Sequence, residues 1–112
     1  MTEGRFDELI HPSTRLSLVA TLAATDWAEF AFLKDRLSLS DSALSKQLST
    51  LEGADYLITE RVSTGRRRTV RARLTDTGRD AFAGHVAALQ AIVGDAQAVA
   101  AEVPAPATPR RS

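Results

Sequence analysis

The chain has no cysteine. That absence removes disulfide cross-links, thiolate nucleophiles, thiol-based redox sensing and thiolate metal sites together, and it fits a reducing compartment. No apolar run approaches the roughly 18 residues expected of a membrane span. The opening "MTEGRFDELIH" lacks the apolar stretch of a secretion signal, so a cytoplasmic protein with no membrane partner is expected. Net charge is absent too, with 14 Lys and Arg against 14 Asp and Glu. No internal repeat is visible. His11 and His85 stand far apart in sequence with no carboxylate cluster beside either, so neither a metal site nor any other cofactor is expected. Nucleophile–base pairs, paired-carboxylate sites and phosphate-binding loops are missing as well, and enzymatic activity is not expected. What remains is a chain of 112 residues, 44% hydrophobic and 25% charged, which is the composition of one ordinary globular domain with a small core.

The neutral total conceals a concentration. "STGRRRTVRARLT", Ser63 to Thr75, holds Arg66, Arg67, Arg68, Arg71 and Arg73 and no acid. Charge placement therefore says more than charge sum. Within the stretch, "TVRARL" alternates, with Val70, Ala72 and Leu74 on one face and Thr69, Arg71 and Arg73 on the other. This predicts a half-exposed strand of a two-stranded hairpin whose partner is "YLITERV" and whose turn lies in "STGRRR". A cross-strand ion pair of Arg73 with an acid such as Glu60 is expected.

Upstream the pattern is helical. Phe6, Leu9 and Ile10 suggest a docking turn. Pro12 suits the first turn of a helix, and Leu16, Val19, Leu22 and Ala23 recur at helical spacing as its core face. Arg15, near the start of that helix, suits a structural salt bridge more than a phosphate contact. In "DWAEFAFLKDRL", Phe30, Leu33 and Leu37 share one face of a second, shorter helix. Trp27 is placed in an extended link before it and expected in the core. "LSLSDSALSKQLSTLEGADYL" follows after a very short connection. Ser40 is a good N-cap, Leu44, Leu48 and Leu51 form the buried stripe, and the outer face carries Ser42, Ala43, Ser45, Lys46, Ser49 and Thr50, with Gln47 nearer its edge. Asp55 is a candidate for the left-handed position that closes the helix. Thr75 then caps a long alanine-rich helix of about 76–101. Its Phe82, Val86, Leu89, Val93 and Ala96 are spaced 4, 3, 4 and 3 residues apart, a heptad-like seam that a domain this small cannot cover alone. Gly84 and Gly94 weaken that helix by about 1 kcal/mol each relative to alanine. Residues 1–101 are expected to form the domain and 102–112 a disordered Pro-rich tail.

The order helix, helix, turn, helix, strand, basic turn, strand, long helix resembles the winged helix-turn-helix regulators of the bacterial and archaeal MarR/PadR-like type. "IHPSTRLSLVATL", "FLKDRLSLSDSALSKQLSTLEGADYL" and "RARLTDTGRDAF" carry the resemblance, which runs from about Leu9 to Phe82. One departure is Asp55, which stands where the family usually has glycine; Gly53 lies two residues earlier. The resemblance implies an α+β, mainly α, fold with a two-stranded wing and a long C-terminal dimerisation helix. It further implies a homodimer that binds double-stranded DNA as a transcriptional regulator, a repressor by expectation. The helix of about 40–54 would enter the major groove. There Lys46 would donate to guanine or phosphate, Gln47 would pair with adenine or phosphate, and the Ser40 end would meet a phosphate. Arg66, Arg67, Arg68 and Arg71 of the wing, about 62–70, would lie on the backbone or in the minor groove. The alternative is a protein-binding winged helix whose basic hairpin meets an acidic partner, since fold alone does not fix function.

Overall fold

Leu44, Leu48 and Leu51 are buried on one side of a helix, α3 (Asp41–Gly53). Burial of each such side chain is worth about 1.5–3 kcal/mol, which fixes which face of α3 is left to solvent. In the computed structural model, which describes residues 3–104, α3 is preceded by α1 (Ser13–Ala23), β1 (Ala28–Glu29) and α2 (Phe30–Leu37). It is followed by β2 (Leu57–Thr64), β3 (Arg67–Leu74) and α4 (Asp76–Glu102). The fold is a mainly helical winged helix. The tail expected at 102–112 begins on Glu102, the last residue of α4, and from 105 onward it lies outside the described residues.

The core is built where the helical leucines meet the hairpin. Leu18, Val19 and Leu22 of α1, Leu33 of α2 and the three α3 leucines pack on Leu57, Ala72 and Leu74, with Ile10 closing one end. Val19 and Leu22 are fully buried as expected, and Leu18 joins them; Leu16 and Ala23 are half-buried at the margin of the cluster. Phe30 and Leu37 flank Leu33 as expected, half-buried against the core. Ser38 ends α2 in the left-handed conformation. Ser40 caps α3, its hydroxyl accepting from the Ala43 N–H at 3.1 Å. Asp55 adopts the left-handed conformation, φ 66°, as expected of the residue that closes α3, and Gly53 stays helical.

The two-stranded wing is present as β2 and β3, and a short third strand adds to its edge, giving the order β1-β3-β2. The two residues of β1 pair antiparallel with β3, Ala28 with Ala72 and Glu29 with Arg71. Two residues are too few for any period to register, which is why the strand was not visible in the sequence. Trp27, at its start, is not in the core; it is half-buried on the sheet edge.

Thr75 joins hairpin to α4. Its hydroxyl accepts from the Gly78 N–H at 3.0 Å and donates to the Asp55 carbonyl at 2.6 Å, while its N–H donates to the Tyr56 carbonyl at 3.0 Å. Gly78 is obligatory here, because a Cβ at that position would lie 1.9 Å from the Tyr56 carbonyl oxygen. Arg79 reaches across to the end of α1, donating to the carbonyls of Ala23 at 3.2 Å and Thr25 at 3.1 Å. These C-terminal carbonyls have no helical partners, and a cation suits them.

An N-terminal strap, residues 3–11, lies along the first half of α4. Arg5 N–H donates to the Gly84 carbonyl at 2.9 Å and Asp7 N–H to His85 Nδ1 at 2.9 Å. Asp7 in turn accepts from the Leu9 and Ile10 amides and from the Tyr56 hydroxyl, the last at 2.5 Å. That hydroxyl bond to a carboxylate, aided by burial, pushes the Tyr56 phenol up to about 12. His85 is fully buried, and its ring stacks edge-on with those of Phe6 and His11. The two histidines, distant in sequence, are thus neighbours, but no group of three or more metal-ligating side chains forms among the described residues. No helix among them is long and apolar enough to cross a membrane.

Candidate nucleic-acid interface

With its leucines inward, α3 presents Ser42, Ser45, Lys46 and Ser49 to solvent, while Ala43 and Thr50 are half-buried at the sides of that face. The Thr50 hydroxyl is bonded back to the Lys46 carbonyl at 3.0 Å, so it is less free to contact a ligand than the serines. Gln47 is also half-buried, and its side-chain oxygen accepts from Arg15 Nη1 at 3.2 Å. Arg15 makes no salt bridge among the described residues; it donates instead to Gln47 and, through Nε, to the Leu9 carbonyl at 2.6 Å. At the start of the helix, Asp41 is bound by Lys34 of α2 at 2.9 Å. The carboxylate holds the Lys34 ammonium above its ordinary value, and the lysine compensates a negative charge that would otherwise oppose an anion at this end of α3.

The hairpin turns on Gly65 and Arg66. Gly65 has φ 62° at the first central position, a conformation that suits glycine and that two-residue hairpin turns require. Strand pairing runs to the tip, Thr64 opposite Arg67 and Ser63 opposite Arg68, so the arginines are displayed on a rigid ribbon rather than a loose loop. They divide into two groups. Arg71 binds Glu60 directly across the hairpin, with Nε to the carboxylate at 2.8 Å, and its guanidinium lies 4.1 Å over the Trp27 ring. Arg73 binds Asp26 at 3.0 Å and approaches the same ring at 5.4 Å. The partner expected for Arg73 thus belongs to Arg71, because register sets Glu60 opposite Arg71 and Ile58 opposite Arg73. Trp27 serves as an aromatic platform under two cations, an attraction worth about 0.5–1 kcal/mol each when exposed. At the tip, Arg67 makes only a long, exposed contact with Glu29 at 3.5 Å, while Arg66 and Arg68 are exposed without an ion pair among the described residues.

The two exposed groups meet. A groove lined by Asp41 and Ser45 of α3, Glu29, Phe30 and Ala31, and Arg67, Arg68, Thr69 and Val70 of β3 places the α3 face beside the basic hairpin. A family model described as a winged helix DNA-binding domain matches residues 14–93.

The chain belongs to the winged helix DNA-binding domain family.

This winged helix is 30% identical over 80 residues to an uncharacterised protein of Methanocaldococcus jannaschii, MJ0432, covering 70% of this chain and 86% of that one. Among solved structures it resembles a transcriptional regulator homologue of Pyrococcus horikoshii, with TM-score 0.74 and 24% identity over 80% of this chain and 88% of the other. It also resembles ZitR of Lactococcus lactis, a zinc-responsive MarR family member, with TM-score 0.60 and 20% identity over 93% and 72% of the two chains. These structural likenesses establish the winged helix fold.

The family match ends within α4, at residue 93. Beyond residue 89 every α4 side chain is exposed. Of the expected seam, Phe82 packs on the chain's own core, Val86 and Leu89 are half-buried, and Val93 and Ala96 are exposed. A second heptad series was missed: Gly78, His85, Ile92 and Val99. The first two are buried, whereas Ile92 and Val99 are 55% and 56% exposed.

Proposed function

We propose that the protein is a sequence-specific, double-stranded-DNA-binding transcriptional regulator acting as a homodimer. The observation that carries this reading is the groove in which Asp41 and Ser45, on the first turns of α3, adjoin Arg67 and Arg68 of the hairpin. In this reading Ser42, Ala43, Ser45, Lys46, Ser49 and Thr50 face the major groove, with Lys46 the base-reading donor, and the Ser40 end offers free amides to a phosphate. Arg66, Arg67 and Arg68 take the backbone or the adjacent minor groove. Arg71 is assigned a lesser part, because Glu60 and Trp27 already engage it.

The dimer is assigned to α4, with residues 1–101 acting as one unit. Its apolar face is covered by the strap and core over the first half and left bare at Ile92, Val93, Ala96, Val99 and Val103. A second copy offers an identical face, as two-fold pairing requires. Two recognition helices would then address half-sites about 34 Å apart. Repression follows most simply, since occupancy of a promoter is enough to block it, and a cytoplasmic site of action accompanies this role.

The test is capture of native genomic fragments by the full chain, followed by sequencing and measurement of affinity against salt. An enriched sequence is expected. In an Arg66→Ala/Arg67→Ala/Arg68→Ala variant the log–log salt slope should fall by about 0.9 for each phosphate that is no longer neutralised. Recovery of no enriched sequence would overturn the reading. A hairpin that instead retained an acidic protein and ignored duplex DNA would favour the protein-binding alternative.

A further inference from the structure

Gln47 stands on the flank of α3 rather than on its crest. It is the neighbour of buried Leu48 and lies three residues from buried Leu44, while exposed Lys46 lies on the other side of it. Its Oε1 accepts from Arg15 Nη1 at 3.2 Å, and Arg15 is itself anchored by Nε on the Leu9 carbonyl at 2.6 Å. A guanidinium carries only donors, so the amide atom turned toward it must be the oxygen; the opposite orientation would set N–H against N–H. The atom left facing outward is Nε2, with its two donors.

This orientation discriminates between the partners that a glutamine can take on DNA. Adenine readout needs both amide ends, Nε2–H to N7 and Oε1 accepting from the N6 amino group. With Oε1 directed at the Arg15 guanidinium, one of its two lone pairs is taken and the oxygen is turned away from the outward donors, so the two-ended pose on adenine is disfavoured. A phosphate oxygen only accepts, and it matches an outward pair of donors. The flank of a helix in the major groove also faces the groove wall, where the phosphates lie, rather than the floor.

We infer that Arg15 is a positioning residue that orients Gln47 as a donor to a DNA phosphate in preference to reading adenine. Base recognition by α3 then falls to Lys46 and the serines. This inference rests on the DNA-binding reading above.

The experiment is selection from a randomised duplex library, then affinity measurement on the selected duplex and on duplexes changed at single positions. The full chain is compared with Gln47→Ala, Gln47→Glu, Arg15→Met and the double variant Arg15→Met/Gln47→Ala. All are expected to select one motif. Gln47→Ala binds every duplex roughly five- to tenfold more weakly, the worth of one hydrogen bond. Gln47→Glu binds more weakly still, since a glutamate keeps Arg15 but turns an oxygen toward the phosphate. Arg15→Met reproduces most of the Gln47→Ala loss, and the double variant is no worse than Gln47→Ala, because the two residues act as one unit. A Gln47→Ala variant that loses an adenine preference at one position overturns the inference, as does one that binds like the wild type or a double variant whose losses multiply. If circular dichroism shows that Arg15→Met does not fold, the Gln47→Ala and Gln47→Glu pair decides, because both leave Arg15 in place. Failure of the wild type to select any motif would instead sink the DNA-binding reading and this inference with it.

Discussion

Of the glycine-to-alanine substitutions in this chain, that of Gly78 should be the most damaging. The new Cβ would lie 1.9 Å from the Tyr56 carbonyl oxygen and 2.8 Å from its carbon, against a practical minimum of 3.0 Å. Both obstacles are backbone, at the junction where α4 leaves the hairpin, so no side chain can swing aside and the helix start must retreat by about 1 Å to reach that minimum. Overpacking of this kind costs about 1–3 kcal/mol. The retreat also loosens the bonds from Thr75 N–H to the Tyr56 carbonyl and from Gly78 N–H to the Thr75 hydroxyl, each worth about 1 kcal/mol. The sum, about 3–5 kcal/mol if both bonds are lost, is a large share of the total stability of a small domain. It corresponds to a fall in Tm of about 15 °C or more. Gly94 provides the control. It is also helical, but nothing lies within 4 Å of its Cβ position, and Gly94→Ala should raise stability by about 0.5–1 kcal/mol through helix propensity alone. Thermal unfolding followed by far-ultraviolet circular dichroism reads both. A Gly78→Ala protein that melts at or above the wild type would refute the packing argument, whatever Gly94→Ala does.

Two further outcomes are expected. Tyr56 is the only tyrosine, so the tyrosinate absorbance should titrate near 12 in the native protein and lower in Asp7→Asn. Because the folded value lies above the ordinary 10.0, the stabilisation from this bond is fully present below pH 10 and is lost as pH rises through 12. A native midpoint near 10 would mean that the Tyr56 hydroxyl is not held by Asp7. On α4, Ile92→Asp and Val99→Asp replace side chains that the single chain leaves exposed, so the melting temperature of the monomer should change little while light scattering reports a shift from dimer to monomer. A wild type that is already monomeric at micromolar concentration contradicts the assigned dimer face.

The legible parts of the fold were those with a period. The α3 leucines, the alternation of Val70, Ala72 and Leu74, and the caps at Ser40 and Thr75 all follow from spacing and local chemistry, and even the left-handed Asp55 was accessible from residue type. What escaped was decided by contacts between distant segments. β1 exists because Ala28 and Glu29 find the free edge of β3. Trp27 leaves the core because two arginines of that strand lie over its ring. That Glu60 pairs with Arg71, and Arg73 with Asp26, depended on a register that alternation alone does not fix. Within the candidate interface, the outward face of α3 and the arginine tip were visible as types of residue. The attachment of Gln47 to Arg15, 32 positions away, was not, since no local rule links the start of α1 to the flank of α3. Gly84 and Gly94 looked alike as helix-weakening residues, but Gly84 is buried beneath the strap and Gly94 is open to solvent.

The tryptophan has a use of its own. It is the only one in the chain, and its ring sits beneath the guanidinium groups of Arg71 and Arg73, on the same strand that carries the wing tip. Indole emission responds to the charge and polarity at its face. Any ligand that draws those arginines away, or shifts the strand beneath them, changes the colour or yield of a single intrinsic fluorophore. The protein thus carries an unlabelled reporter of its own wing.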